Sequence, residues 1–156
     1  MKTDTLRFGV VGAGAIAPSH ILAVERTPGA ELTAVCDVQS DRAEALAGKH
    51  GVQAVTRIQD LLEHVDAVSL CTPSGYHLEP ALEILNAGKH LLVEKPMEIT
   101  VERIDRMIAA AQSSGVKLAG VFQSRFAPLA TQLKKLLDQE ILGRLYSGSV
   151  HIRRFR

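Results

Sequence analysis

Short, uninterrupted apolar runs alternate along the chain with stretches whose apolar positions recur every three to four residues. Leu6–Val11 reads as a buried strand. A helix follows from about Gly14 and stops at Thr27-Pro28-Gly29. Residues 32–36 form a second strand. Ser40 stands where an N-cap belongs, before a helix that turns Ala43, Leu46 and Ala47 inward and ends near Gly51. A short strand at 52–55 and a short helix at 58–63 lead to a fourth strand at 67–71. Residues 76–87 read as a helix with Leu78, Leu82 and Leu85 on one face, closed by Gly88. A strand over His90–Val93, a helix over 101–114 and a strand over 117–122 bring the strands to six.

Strands that are apolar throughout, separated by amphipathic helices, belong to a parallel sheet covered on both faces. Parallel neighbours need crossover connections, and these are right-handed almost without exception. The expected fold class is therefore α/β, a doubly wound parallel sheet of the Rossmann type. The pattern changes after Gln123. Phe126, Leu129, Ala130, Leu133, Leu136 and Leu137 form a helical stripe that ends at Gly143, and 145–155 reads as one long strand with no later partner. The expected organisation is one domain over 1–124 that holds the whole sheet. Residues 125–156 would carry the first helix and strand of a truncated second α+β domain.

Composition narrows the partners. Eighteen Lys and Arg against seventeen Asp and Glu leave a net charge of +1, so no general field recruits nucleic acid or an anionic membrane. The terminal Arg153-Arg154-Phe155-Arg156 is too small a basic cluster to change that. The longest stretch free of charged residues, 8–24, is interrupted by glycines and Pro18 and falls short of a membrane span of about 20 residues. Behind Lys2 and Arg7 the same run imitates a secretory leader, but Asp4 and three glycines argue against one. Cys36 and Cys71 show no metal or redox spacing, so two buried free thiols in a cytoplasmic protein are expected. No HExxH or paired His/Cys pattern calls for a metal, and the glycine turn lacks the Gly-Lys-Ser/Thr of a P-loop.

The chemistry sits at the strand ends. Gly12-Ala13-Gly14-Ala15-Ile16-Ala17 follows the first strand and opens the first helix. Gly12 permits the tight turn, Gly14 lets main chain approach a pyrophosphate, and Ala17 lets the helix lie close on the sheet. The helix N-terminus offers unpaired N–H groups and about half a positive charge to the phosphates. Asp37, 25 residues after Gly12 at the end of the second strand, is placed to accept hydrogen bonds from ribose hydroxyls. Its carboxylate would oppose a 2′-phosphate by about 4 kcal/mol per charge pair at about 4 Å and an effective dielectric near 20. NAD is thus expected over NADP, a preference that nearby Arg42 can soften.

Cys71, Thr72 and Pro73, with His77 just beyond, lie in the turn after the fourth strand, where ligands bind doubly wound sheets. Histidine at that position is as readily structural as ligand-binding. Glu94-Lys95-Pro96 ends the fifth strand. Lys95 can orient a substrate hydroxyl or polarise a carbonyl, or the two charges can form a surface ion pair. Gln123 and Arg125 end the sixth strand. There Arg125 can hold a substrate carboxylate or phosphate, or join two domains. These features fit an NAD-dependent dehydrogenase, with a non-catalytic nucleotide-binding module as the competing reading. A methyltransferase explains the glycine turn and strand-end acid but not Glu94-Lys95-Pro96.

Taken together, Gly12 to Ala17, Cys36-Asp37, Thr72-Pro73-Ser74 with His77, and Glu94-Lys95-Pro96 stand in the order and spacing of one family. Over residues 6–125 the chain resembles the amino-terminal domain of the glucose-fructose oxidoreductase, inositol dehydrogenase and rhizopine catabolism family (Gfo/Idh/MocA). The resemblance implies hydride transfer between a nicotinamide cofactor and a hydroxyl carbon of a sugar, cyclitol or sugar-nucleotide-like substrate. It implies that Lys95 is catalytic, that Glu94 and Lys95 lie against the cofactor, and that Gln123 and Arg125 meet the substrate. It also places most of the substrate pocket, a homo-oligomer interface and an Asp/His catalytic pair beyond Arg156, so these residues alone are expected to bind NAD and turn over poorly.

Overall fold

The computed structural model describes residues 5–151. In chain order the elements are β1 (Leu6–Val11), α1 (Ala17–Glu25), β2 (Ala30–Cys36), α2 (Ser40–His50), β3 (Gln53–Val55), α3 (Ile58–Leu62) and β4 (Ala67–Leu70). There follow α4 (Leu78–Asn86), β5 (His90–Val93), α5 (Val101–Ser113), β6 (Leu118–Gly120), a 3-10 turn (Gln123–Phe126) and α6 (Pro128–Asp138). The six strands form one sheet in the order β3-β2-β1-β4-β5-β6, with every neighbouring pair parallel.

The apolar strands are explained by a strand's period of two. Val10 packs on one face with Ile21, Val35, Leu46 and Ala47. The next residue, Val11, packs on the other with Val68, Leu70, Leu78, Ile84, Leu85 and Met107. Both faces are roofed by helices, so β4 and the carboxyl-terminal halves of β1 and β2 are buried on both sides. β1 lies between β2 and β4, with Val10 opposite Val35 and Ser69. The chain order reverses at β1, and such a switch point leaves a crevice outside the carboxyl ends of the strands.

Three local expectations need correction. α1 begins at Ala17 rather than at Gly14, because residues 12–16 are spent on the turn. The N-cap of α2 is Gln39 and no side chain caps it; Ser40 is already helical. The Gln39 amide donates instead to Asp37 Oδ1 at 2.9 Å, so the strand-end acid organises this turn. Residues 145–151 form no strand, and 152–155, the rest of the expected one, lie outside the described residues. An isolated strand has no partner to satisfy its main-chain groups, which is why the alternation of apolar and polar residues there is not enough.

The chain divides into two compact units, Met1–Val121 and Phe122–Arg156, with the break three residues before the expected one. The first holds the whole sheet. In the second, α6 displays Leu129, Leu133 and Leu136 to solvent. Among the described residues no helix is long and apolar enough to cross a membrane.

Candidate cofactor site

The turn between β1 and α1 is fixed by main chain. The Gly12 amide donates to the Cys36 carbonyl at 2.8 Å, and the Cys71 amide to the Val11 carbonyl at 2.7 Å. Gly12 has φ +95°, and a Cβ there would lie 2.8 Å from the Cys71 carbonyl carbon and 2.9 Å from its oxygen. Only glycine fits. Gly14 is the reverse case, since a Cβ there would meet no protein atom within 4 Å. The amides of Gly14, Ala15 and Ile16 meet no protein acceptor among the described residues. Neither a capping side chain nor an acidic residue occupies the first turn of α1. Free N–H donors leading into an uncapped nine-residue helix, exposed to solvent and with no acidic residue in its first turn, fit a diphosphate. Ala17 is fully buried, in keeping with its expected packing role.

Asp37 lies alongside. Its Oδ2 accepts the Ala13 amide at 2.7 Å and its Oδ1 the Gln39 amide, which locks the carboxylate beside the glycine turn. Each oxygen retains a lone pair for a ribose hydroxyl. A cleft of about 260 Å³ flanks this corner rather than the glycine turn, lined among others by Ser40, Glu44, Thr56 and Asp60. Its lining carries two carboxylates, Glu44 and Asp60.

The loops after β4 and β5 form the opposite wall. The Cys71 side chain is buried, and burial pushes its thiol up to about 12; what it offers the turn is main chain against Gly12. Thr72 donates to the Tyr76 carbonyl, and the Tyr76 amide to the Pro73 carbonyl, closing a compact turn. His77 is fully buried, with Nε2 2.8 Å from the Thr72 carbonyl and Nδ1 3.0 Å from those of Pro96 and Met97. Its ring joins the two loops, so any effect it has on a dinucleotide passes through them. Glu94 is buried too, its Oε1 3.0 Å from His20 Nε2 and its Oε2 accepting the Lys95 amide at 2.9 Å. Lys95 itself is exposed.

Two residues here escape a reading of the sequence. Glu98 is buried beneath the second loop, where it accepts the amides of Leu78 and Ile99 and pairs with Arg103 at 3.3 Å. Burial pushes its carboxyl up, but those two amides and the guanidinium outweigh it and hold the group below its ordinary range. His20 is the other. Its signal was present, a histidine on the same helical face as Ala17, Ile21 and Val24. Gln123 and Arg125 stand in the 3-10 turn of the second unit, both exposed, with the Arg125 guanidinium 5.5 Å from the Phe122 ring centroid. Among the described residues no cluster of His, Cys, Asp and Glu is arranged to hold a metal.

A six-stranded Rossmann sheet with an open amide cradle at its first turn and a carboxylate at the end of β2 defines a dinucleotide-binding domain. The family model for an oxidoreductase family with an NAD-binding Rossmann fold (Gfo/Idh/MocA) matches residues 6–122, and the chain belongs to that family. Inositol 2-dehydrogenase of Rhizobium meliloti (strain 1021) is 34% identical over 142 residues, 89% of this chain and 42% of the relative. The WlbA dehydrogenase from Bordetella pertussis, solved in complex with NADH and UDP-GlcNAcA, matches with a TM-score of 0.86 at 36% identity, over 91% of this chain and 44% of that one. KijD10, a 3-ketoreductase from Actinomadura kijaniata solved in complex with TDP-benzene and NADP, matches with a TM-score of 0.79 at 33% identity, over 87% and 44%. The chain thus spans less than half the length of these relatives.

Proposed function

We propose that these residues are the cofactor-binding part of an NAD-dependent dehydrogenase acting on a hydroxyl carbon of a sugar, cyclitol or sugar-nucleotide-like substrate. The observation that carries this reading is the set of three amides, Gly14, Ala15 and Ile16, without protein acceptors beside a fixed Asp37. The diphosphate rests on those amides, and Asp37 receives the adenosine ribose hydroxyls. Thr72 and Pro73 border the nicotinamide half, with His77 fixing their loop. When bound, the nicotinamide accepts or delivers a hydride at the substrate carbon. Lys95, whose ammonium has no intramolecular partner among the described residues and which stands beyond the end of β5, orients the substrate hydroxyl or polarises the corresponding carbonyl. Gln123 and Arg125 are assigned to the substrate.

The substrate class rests on relatives that include an inositol dehydrogenase and an enzyme solved with a nucleotide sugar. Those relatives are more than twice as long, so turnover is expected only where a substrate-binding part accompanies these residues, in a protein expected to form homo-oligomers. Two free thiols support a cytoplasmic location. A non-catalytic cofactor sensor would share the cradle but have no use for Lys95.

The test is a fluorescence titration with NADH and NADPH of the wild type and Asp37→Ala. The wild type prefers NADH. Asp37→Ala weakens NADH about tenfold, as expected for the loss of charge-assisted hydrogen bonds, and narrows the gap to NADPH. An unchanged cofactor ratio would remove Asp37 from the ribose.

A further inference from the structure

We propose that His20 is a positioning residue for Lys95, acting through Glu94. The proposal rests on the cofactor reading above and deepens it. His20 points from α1 into the packed interior and is 9% exposed, close to Glu94 (8%), while Ser69 is deeper still (1%). A polar ring in such a place is costly unless both nitrogens are partnered. Both are. Nδ1 lies 2.5 Å from Ser69 Oγ and Nε2 lies 3.0 Å from Glu94 Oε1.

A single neutral tautomer satisfies the whole set. Ser69 O–H donates to Nδ1, and Nε2–H donates to Glu94, an assignment that follows from the partners' chemistry. The second carboxylate oxygen of Glu94 then accepts the Lys95 amide at 2.9 Å. The links run from α1 through β4 and the end of β5 to the main chain of Lys95, each made by a buried side chain.

This arrangement has a consequence for binding. α1 is entered through the turn that carries the diphosphate amides and holds, at His20, the anchor of the lysine loop. In a doubly wound sheet the adenosine half lies over β2 and the nicotinamide half across the switch point, toward β4 and β5. One helix therefore places both halves of the site. Without His20, Glu94 keeps one partner fewer in a buried position, and the cheapest relaxation is for its carboxylate to turn toward solvent and release the Lys95 amide. A histidine that merely filled the core would affect both cofactor halves alike.

The experiment compares the wild type, His20→Ala and His20→Gln by calorimetric titration with NADH and with ADP-ribose, which lacks the nicotinamide, alongside the amide NMR shift of Lys95. In His20→Ala the loop main chain at Lys95, released from Glu94, no longer holds the nicotinamide side of the site, and NADH binding falls about tenfold. ADP-ribose binding stays within about twofold, and the Lys95 amide signal moves. His20→Gln keeps a donor toward Glu94 and recovers most of the loss. If His20→Ala does not fold, His20→Leu retains the apolar volume without the donor and is read in the same way. Equal losses for both ligands, no loss for either, or an unmoved Lys95 signal overturns the proposal. A wild type that binds neither ligand brings down the cofactor reading, and this proposal with it.

Discussion

In a protein that joins these residues to a substrate-binding part, Lys95→Ala is expected to lower kcat by about a hundredfold or more, the usual reach of a positioned proton-handling or hydrogen-bonding group. NADH affinity should change by less than about threefold, because the interaction lost is one made to the reacting oxygen rather than to the cofactor. The asymmetry follows from the local structure. Alanine at this position leaves the hydrogen bond from its main-chain amide to Glu94 Oε2 in place, along with the turn that it anchors. What disappears is the exposed ammonium beyond the end of β5. Steady-state kinetics with a separate NADH titration decide the matter. Turnover that survives intact would make Lys95 structural and would favour the sensor reading.

Gly12→Ala should damage both stability and binding. The new Cβ would meet Cys71 and Thr72 main-chain atoms at 2.8–2.9 Å, and main chain tied to the end of β1 by the Cys71 amide cannot step aside as a side-chain tip can. The φ of +95° adds strain of its own. Together these cost about 3 kcal/mol, or a fall in Tm of roughly 6–12 °C for a chain of this size. Displacing the turn also moves the three free amides. Losing two charge-assisted donors, at about 1.5 kcal/mol each, weakens NADH about a hundredfold. Thermal melting and titration of the same preparation check both figures. An unaltered Tm would contradict the packing described for Gly12.

The sheet was legible because each strand contributes to both of its faces, so a fully buried parallel strand appears as an unbroken apolar run. The glycine turn and Asp37 were legible for a related reason: their roles are local, set by one turn and one strand end. Sequence alone did not reveal His20 or Glu98. Their meaning depends on partners 74, 49 and 20 residues away, which only the folded sheet brings together. A histidine in an apolar helical face and an acid after a proline turn carry no local mark of what they will meet. Ser40 fails as a cap because the Asp37 carboxylate takes the Gln39 amide and shifts the helix start by one residue. At 145–151 alternation suggests a strand, but pairing is what makes one.

Whether a dinucleotide diphosphate lies on the bare amides beside Gly14 is decided by calorimetric titration of NADH into the wild type and Gly14→Val. Chain neighbours aside, a Cβ at Gly14 has no protein atom within 4 Å, so valine points into open space and the fold should melt close to the wild type. The wild type is predicted to bind NADH at a single site and Gly14→Val to bind it at least about thirtyfold more weakly, a loss near 2 kcal/mol. A wild type that gives no binding heat, or a valine variant that binds as tightly, would contradict the account.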